Sequence, residues 1–207
     1  MISKLNVTLS PLEQNDREQF ITDNQRAFKF GAEEYYKNGG EYFEGEEGEE
    51  IISRKTIEDS IDSKNAETYR IILDGKKIGG VVLRIDKETK KGELDLLFVN
   101  PENHSKGAGY GAWLAIEKMH PEIEVWETVT PYFEKRNIHF YVNKCGFHIV
   151  EFYHKYHPDP NRHPEMEKDK NSNGKKEGGK GEKGEDKDEK DEEPPDEMFR
   201  FQKIIKK

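Results

Sequence analysis

Three closely spaced glycines, Gly107, Gly109 and Gly111, follow an apolar segment at residues 94–99 and precede a helical pattern that includes Trp113. A predicted strand therefore leads through a glycine-rich turn into a helix. Glycine lets backbone N–H groups approach an anion because no Cβ stands in the way, and a helix N-terminus adds partial positive charge. The segment predicts a site for a pyrophosphate group.

The glycine spacing by itself fits more than one kind of phosphate ligand. A nucleoside-triphosphate loop needs Gly-Lys-Ser/Thr at the helix start, but here Lys106 precedes Gly107 and no hydroxyl residue follows at the right place. A dinucleotide turn, Gly-x-Gly-x-x-Gly/Ala, is matched by Gly107, Gly109 and Ala112. That turn, however, normally follows the first strand of a parallel βαβ domain.

The predicted elements around the turn form an antiparallel meander and then alternate between helix and strand. Strands are expected at residues 4–9, 68–73, 77–83, 93–99, 125–129, 147–153 and 198–205. Helices are expected at residues 12–37, 53–61, 113–119 and 131–144. Asp74 and Gly75 form a tight-turn signal, which predicts a hairpin between the second and third strands. A meander before the glycine turn argues against a dinucleotide domain.

Composition divides the chain into two parts. The mean hydropathy of -1.06 is low, yet residues 1 to about 157 have the apolar periodicity of a packed core. Residues 158–195 are almost entirely charged residues, Gly, Asn and Pro, and such a segment is expected to be disordered. Because an apolar strand follows this tract, we predict a single domain over residues 1–207 with a charged insertion between its last two strands.

Charge, cysteine content and hydrophobicity exclude several classes of protein. The formal net charge of -9 argues against a nucleic-acid partner and favours a cationic one. The single Cys145 excludes an intrachain disulfide, and the chain shows no signal peptide and no membrane-spanning stretch, so we expect a cytoplasmic protein. His154, His157 and His163 lack the regular spacing of metal ligands, and we expect no metal.

The arrangement resembles the GNAT superfamily of N-acetyltransferases. That family's acetyl-CoA motif, Gln/Arg-x-x-Gly-x-Gly/Ala, is similar to the segment His104-Ser-Lys-Gly107-Ala-Gly109, with His104 in place of Gln or Arg. Its Tyr-x-x-x-Gly-Phe ending is similar to the segment from Tyr141 to Phe147. The resemblance implies an α/β (α+β) fold: a mixed, mostly antiparallel sheet of six or seven strands, about four helices, and a splayed strand pair at the cofactor.

The resemblance also implies transfer of an acetyl group from acetyl-CoA to a primary amine by direct attack. The turn would hold the pyrophosphate through backbone N–H groups, and the preceding strand would offer main-chain groups to the pantetheine. Asn137, on the late helix, is either a further pantetheine contact or a solvated residue. The cofactor-binding residues expected on this basis are Phe98, Val99, His104, Ser105, Lys106, Gly107, Ala108, Gly109, Tyr110 and Asn137.

Two carboxylates are candidates for the base that deprotonates the amine. Successive side chains of a strand alternate between faces, so Glu93 and Asp95 share one face. Glu93 lies eleven residues before His104, where the histone-type branch of the family carries its glutamate base. It is otherwise a polar residue at a strand end, and many members of the family use a water chain. Asp95, within an apolar run, is expected to be buried and hydrogen-bonded.

The acid that would protonate the leaving thiolate is where this sequence departs from the family pattern. The usual tyrosine stands four residues before the glycine of Gly-Phe, and that position is Val142. Tyr141 is turned away from it by about 100° on a regular helix. Either a small irregularity rotates Tyr141 inward, or another group such as Tyr132 or His139 is the acid. Core packing is the alternative interpretation of Tyr141.

We therefore expect an N-acetyltransferase, monomeric or homodimeric, that acts on a polyamine, an aminoglycoside or a lysine-like or peptide amine. The acidic segments at residues 41–50 and about 165–197 would border the acceptor site and attract a polycation, although a solubilising tract without a partner fits the second one equally. Two other hypotheses stay open at this point. One is a CoA-binding module without transferase activity, and the other is a dinucleotide-binding protein.

Overall fold

A seven-stranded sheet is the centre of the computed structural model, which describes residues 6–37, 51–104, 107–160 and 197–205. Its strands are β1 (Val7–Pro11), β2 (Ala66–Leu73), β3 (Lys76–Asp86), β4 (Lys91–Val99), β5 (Val125–Pro131), β6 (His148–Tyr153) and β7 (Met198–Ile204). They lie in the order β1-β2-β3-β4-β5-β7-β6. Within the described residues every neighbouring pair is antiparallel except β4 and β5, which are parallel. The predicted mixed, mostly antiparallel sheet is confirmed.

Four α-helices occur in the described part of the chain, as predicted. They are α1 (Arg17–Lys37), α2 (Arg54–Ile61), α3 (Ala108–Met119) and α4 (Lys135–His139), the last continuing into a π-helical turn at Phe140–Cys145. The Ser53 side chain caps α2 by accepting a hydrogen bond from the Thr56 N–H group. Gly146, with a φ of 77°, supplies the left-handed conformation that ends the π turn.

Three predicted helix starts are wrong: α3 begins earlier than residue 113, at Ala108, and strand pairing explains the other two. The chain stays extended from the first strand as far as Leu12, because the Leu12 N–H group donates to the Thr68 carbonyl. Helix α1 therefore begins at Arg17 and not near residue 12. The late helix begins at Lys135 and not at Pro131, because β5 continues to Pro131 opposite Met198 of β7.

The helices cover opposite faces of the sheet. On the first face, which we call the α1 face, Phe20 of α1 and Ile57 of α2 pack with Phe98. On the opposite face, which we call the α3 face, Trp113 of α3 packs in a cluster with Leu94. Because α1 and α2 contact mainly β2, β3 and β4, the α1 face of β5 and β7 is more open, and the side chains of Glu127, Arg200 and Gln202 lie there.

The parallel strands β4 and β5 separate soon after they meet. Their paired residues run from Lys91 opposite Val125 to Glu93 opposite Glu127. One step further, the Thr128 hydroxyl donates a 2.8 Å hydrogen bond to the Leu94 carbonyl in place of a main-chain pair. The sheet therefore opens toward the carboxyl ends of these strands, and the predicted splay is confirmed.

The last two strands, β6 and β7, pair antiparallel with each other, as the position of the charged tract predicts. Most of that tract, residues 161–196, lies outside the described residues, as does the acidic segment at residues 41–50. The single-domain organisation over residues 1–207 with an insertion at 158–195 stays a prediction. No helix in the described residues is long and apolar enough to cross a membrane.

Candidate active site

The glycine turn forms a concave backbone site at the carboxyl end of β4. A 3₁₀ turn (Pro101–Asn103) follows the strand, and Gly107, with a φ of 77°, is the N-cap of α3. The first amide of α3 with a helical partner is that of Gly111, which donates to the Gly107 carbonyl at 2.9 Å. The three amides before it, those of Ala108, Gly109 and Tyr110, need a partner from outside the helix. These groups fit a pyrophosphate; Ser105 and Lys106 lie outside the described residues.

His104 joins the turn to the end of β4. Its Nε2–H group donates to the Val99 carbonyl oxygen at 2.6 Å, and its ring meets Phe30 of α1 edge-on with centroids 5.3 Å apart. Burial lowers the pKa of His104, which favours the neutral imidazole. The imidazole at this position, where the family has Gln or Arg, therefore binds the strand end that precedes the cradle.

The other predicted pantetheine contacts lie on two sides of the cradle. Phe98 is buried, and its ring packs edge-on against Phe20 at 5.1 Å, so only its main chain is left for a ligand. Asn137 is half-buried on α4. The π turn after α4 approaches the cradle closely, since a Cβ at Gly109 would lie 3.4 Å from the Phe140 ring.

Tyr141 points into the protein because of the π turn. The sequence analysis considered a helix irregularity of this kind as one way to rotate Tyr141 inward. A π turn contains an extra residue and rotates the side chains around it. The Tyr141 side chain is buried, with Phe147 and Phe201 at ring distances of 5.7 and 5.5 Å. Burial raises the pKa of Tyr141 to about 12, against the opposing hydrogen bonds with Thr128 and Thr130. The phenol therefore stays protonated at neutral pH.

The two alternative acids lie elsewhere. Tyr132 is 51% exposed and packs against Phe199 at 5.6 Å. His139 is exposed and hydrogen-bonded to Asn143 at 2.9 Å on the outer side of the helix. Of the three candidates, Tyr141 is the one placed against β5 beside the point where β4 and β5 separate.

Glu93 and Asp95 lie on the α1 face, as strand alternation predicts. Arg84 of β3 bridges them through its Nη2 atom, 2.5 Å from Glu93 Oε1 and 2.8 Å from Asp95 Oδ1. Asp95 is the extra residue of a bulge in β4 and also accepts a hydrogen bond from the Ser60 hydroxyl of α2. The expected hydrogen bonding of Asp95 is confirmed, but its side chain is half-buried and not fully buried, with 19% of it exposed. Burial raises the pKa of Glu93, while Arg84 acts to lower it.

Glu127, which the sequence analysis missed, lies opposite Glu93 in the last residue pair before the splay. Its Oε1 atom accepts hydrogen bonds from Arg200 at 3.0 Å and Gln202 at 2.8 Å. Glu93, Arg84 and Glu127 line one cavity on the α1 face. Alternation within β5 could have placed Glu127 on this face, but its position opposite Glu93 depends on a parallel register that no local pattern encodes.

Metal and thiol chemistry receive no support from the described residues. None of their His, Cys, Asp and Glu side chains form a group of three or more that could hold a metal ion, and His163 lies outside them. His157 instead contacts Glu151 at 2.8 Å. Burial raises the pKa of the Cys145 thiol to about 12, so this group is a packed, protonated side chain and not a nucleophile.

Comparison with known proteins agrees with this geometry. The model of the acetyltransferase (GNAT) family matches residues 24–147. A protein of Bacillus subtilis (strain 168), "Uncharacterized protein YrkN", is 41% identical over 201 residues, which is 97% of this chain and 95% of that one.

Two solved structures share the fold. The ribosomal-protein-S18-alanine N-acetyltransferase from Escherichia coli superposes with a TM-score of 0.59 at 12% identity, over 97% of this chain and 95% of that one. The PaiA N-acetyltransferase from Thermoplasma acidophilum, solved in complex with coenzyme A, also has a TM-score of 0.59, at 17% identity, over 97% of this chain and 100% of that one.

The family match covers more than half of the chain and includes the β4 carboxylates, the glycine turn and Tyr141. One of the two solved structures of the same fold was determined in complex with coenzyme A. The dinucleotide hypothesis is therefore set aside in favour of coenzyme A. This chain belongs to the GNAT acetyltransferase family and is an N-acetyltransferase with acetyl-CoA as its cosubstrate.

Proposed function

We propose that this enzyme acetylates a primary amine that reaches the splay from the α1 face, with Glu93 as the base and Tyr141 as the acid. One observation carries the proposal: Glu93 lies on the α1 face and Tyr141 on the α3 face, both where β4 and β5 separate. A base and an acid on opposite sides of one opening serve the two proton transfers that direct attack requires.

Each residue has a defined task in this scheme. Acetyl-CoA supplies an activated thioester carbonyl. Glu93 removes the proton that keeps the amine from attacking, and the neutral nitrogen forms the C–N bond. As the C–S bond breaks, Tyr141 donates its phenolic proton to the sulfur, and the nitrogen's remaining surplus proton leaves to water. Burial suits both groups, since it makes Glu93 a stronger base and keeps Tyr141 protonated.

We propose a cationic acceptor: a polyamine, an aminoglycoside, or a lysine or peptide amine. The support is electrostatic, because Arg84 and Arg200 on the α1 face each bind two carboxylates, which are Glu93 and Asp95 for the first and Glu127 and Glu151 for the second. Lys64, Lys91 and Asp86 also line the cavity that holds Glu93. Acetyl-CoA-dependent thiol release with spermidine, kanamycin and a lysine peptide as acceptors would identify the class. The cytoplasm as compartment, and a monomer or homodimer as assembly, stay part of this proposal.

Gly109→Trp is expected to abolish acetyl-CoA binding in a calorimetric titration. The ring of Phe140 is already 3.4 Å from the position of a Cβ at Gly109, so the indole has to extend over the free amides at the start of α3. Tyr110→Trp is the matched control, because Tyr110 is already a large side chain and is 42% exposed. Thermal melts check that both variants fold. Unchanged affinity of Gly109→Trp would place the cradle elsewhere.

Glu93→Gln is expected to lower kcat/KM by about 10²-fold or more, as loss of a general base does. Glu93 acts only when deprotonated, so wild-type activity rises with pH through its raised pKa, and this acid limb disappears in the variant. The control is Asp95→Asn, which removes a carboxylate that is hydrogen-bonded to Ser60. We expect this variant to have a lower melting temperature and only a minor change in kcat. An unchanged rate and acid limb in Glu93→Gln would exclude this base.

A further inference from the structure

Four carboxylates on the α1 face share two arginines. Arg84 binds Glu93 and Asp95, and Arg200 of β7 binds Glu127 at 3.0 Å and Glu151 of β6 at 2.8 Å. When all four acids are ionised, two negative charges are left without a partner in these two triads. The imbalance lies across the middle of the sheet, where β4 meets β5.

The imbalance is concentrated on one pair of residues. Glu93 and Glu127 are opposite each other in adjacent parallel strands, whose axes lie about 4.8 Å apart. In each, the described residues supply hydrogen-bond donors to Oε1, from Arg84 to Glu93 and from Arg200 and Gln202 to Glu127, and supply none to Oε2. Two carboxylate oxygens without donors therefore stand beside the opening of the sheet.

Like charges at this separation repel each other unless a cation lies between them. The charge of Glu127 is one of the effects that raise the pKa of Glu93, after burial and the charge of Asp95, so it already acts on Glu93 in the absence of a ligand. A primary ammonium has three N–H donors and one positive charge, which match two free carboxylate oxygens and relieve the repulsion. A neutral or anionic group would do neither.

We propose that Glu127 and Glu93 together form the binding site for the reacting ammonium group of the acceptor. The inference rests on the proposed function, and it gives Glu127 a role in acceptor binding. The ammonium nitrogen donates to Oε2 of both residues. Glu93 then takes one proton and becomes neutral, which leaves a neutral amine beside the splay and Glu127 as the remaining anion.

The other charged groups near Glu93 define what a test has to separate. Arg84 and Asp86 lie on β3, Lys91 and Asp95 lie on β4, and Lys64 lies in the loop after α2. Arg200 of β7 contacts Glu127, which in turn lies opposite Glu93. Glu151 offers a matched control, because it is bonded to the same Arg200 as Glu127 but lies on β6, beyond β7. The variants Glu127→Gln and Glu151→Gln therefore differ in distance from Glu93 and not in their arginine partner.

The first measurement is a pH titration of the Glu93 side-chain carboxyl carbon by NMR in the acceptor-free enzyme. Glu127→Gln is expected to lower the pKa of Glu93, because the nearby negative charge of Glu127 is removed. Glu151→Gln is expected to leave the pKa of Glu93 unchanged, because the Glu127 charge is still present. The second measurement is steady-state kinetics with the best acceptor among spermidine, kanamycin and a lysine peptide. Glu127→Gln is expected to raise the amine KM about tenfold with unchanged acetyl-CoA affinity, and to move the acid limb of kcat/KM to lower pH.

An unchanged Glu93 titration in Glu127→Gln, or an equal shift in Glu151→Gln, would overturn the inference. A general loss of folding would instead show in the melting temperatures and in acetyl-CoA binding. Failure of the proposed base is a separate result, namely full activity of Glu93→Gln. A selective rise of the amine KM in Glu127→Gln would then still assign the ammonium site to Glu127.

Discussion

Tyr141→Phe is expected to lower kcat by about 10²-fold or more while acetyl-CoA still binds with wild-type affinity, because the variant lacks only the proton that the thiolate requires. Phenylalanine keeps the ring contacts with Phe147 and Phe201, so the core is preserved. Single-turnover kinetics with acetyl-CoA and an amine, followed by thiol release, isolate the chemical step.

Tyr132→Phe is the matched control for this prediction. Tyr132 also carries a phenol near the end of β5, but it is 51% exposed and faces an aromatic cluster with Phe152 and Phe199. We expect its kcat to stay within about twofold of wild type, since this phenol is half exposed and its ring packs against Phe152 and Phe199. A large loss in Tyr132→Phe, or wild-type kcat in Tyr141→Phe, would assign the acid to another group.

Arg70→Met is expected to lower the free energy of unfolding by about 3–5 kcal/mol, the range for removing one partner of a buried ion pair. Arg70 is 1% exposed and binds Asp16 at 2.8 Å and Asp23 at 2.9 Å between α1 and β2. Methionine fills the space but leaves Asp16 with Lys77 as its remaining cation. Chemical denaturation at neutral pH measures the loss, which is a large share of a domain's stability.

The stabilisation by Arg70 depends on pH in a defined direction. Its hydrogen bond is the largest effect on Asp16 and holds the pKa of that carboxyl below the ordinary value of 3.8. The resulting stabilisation is present above pH 3.8 and is lost as the pH falls through the folded-state value, so the difference between Arg70→Met and wild type shrinks in acid. Lys55→Met, at the exposed Lys55–Asp59 pair, is expected to cost less than about 1 kcal/mol. Equal losses in the two variants would contradict this account of Arg70.

Most of the fold, and the glycine turn that we propose as the cosubstrate site, could be predicted from local sequence patterns. Asp74 and Gly75 identify the hairpin, and the glycines at positions 107 and 109 identify the cradle, because turn geometry and backbone access depend on a few adjacent residues. The limits of α1 and α4 could not be predicted in the same way. Pairing of Leu12 with Thr68 and of Pro131 with Met198 overrides the local helical pattern, and it joins segments far apart in the chain.

The sequence by itself was enough to identify the family and to place Glu93 and Asp95 on one face, since each follows from a motif or from the two-residue period of a strand. The glycine turn that we propose as the acetyl-CoA cradle follows from a motif in the same way. Only the tertiary structure decided that a π turn rotates Tyr141 inward and that Glu127 lies opposite Glu93. The physical reason is that helix irregularity and strand register are set by packing between distant segments. Whether a carboxylate acts alone or as one of a pair is therefore decided at the level of the folded sheet.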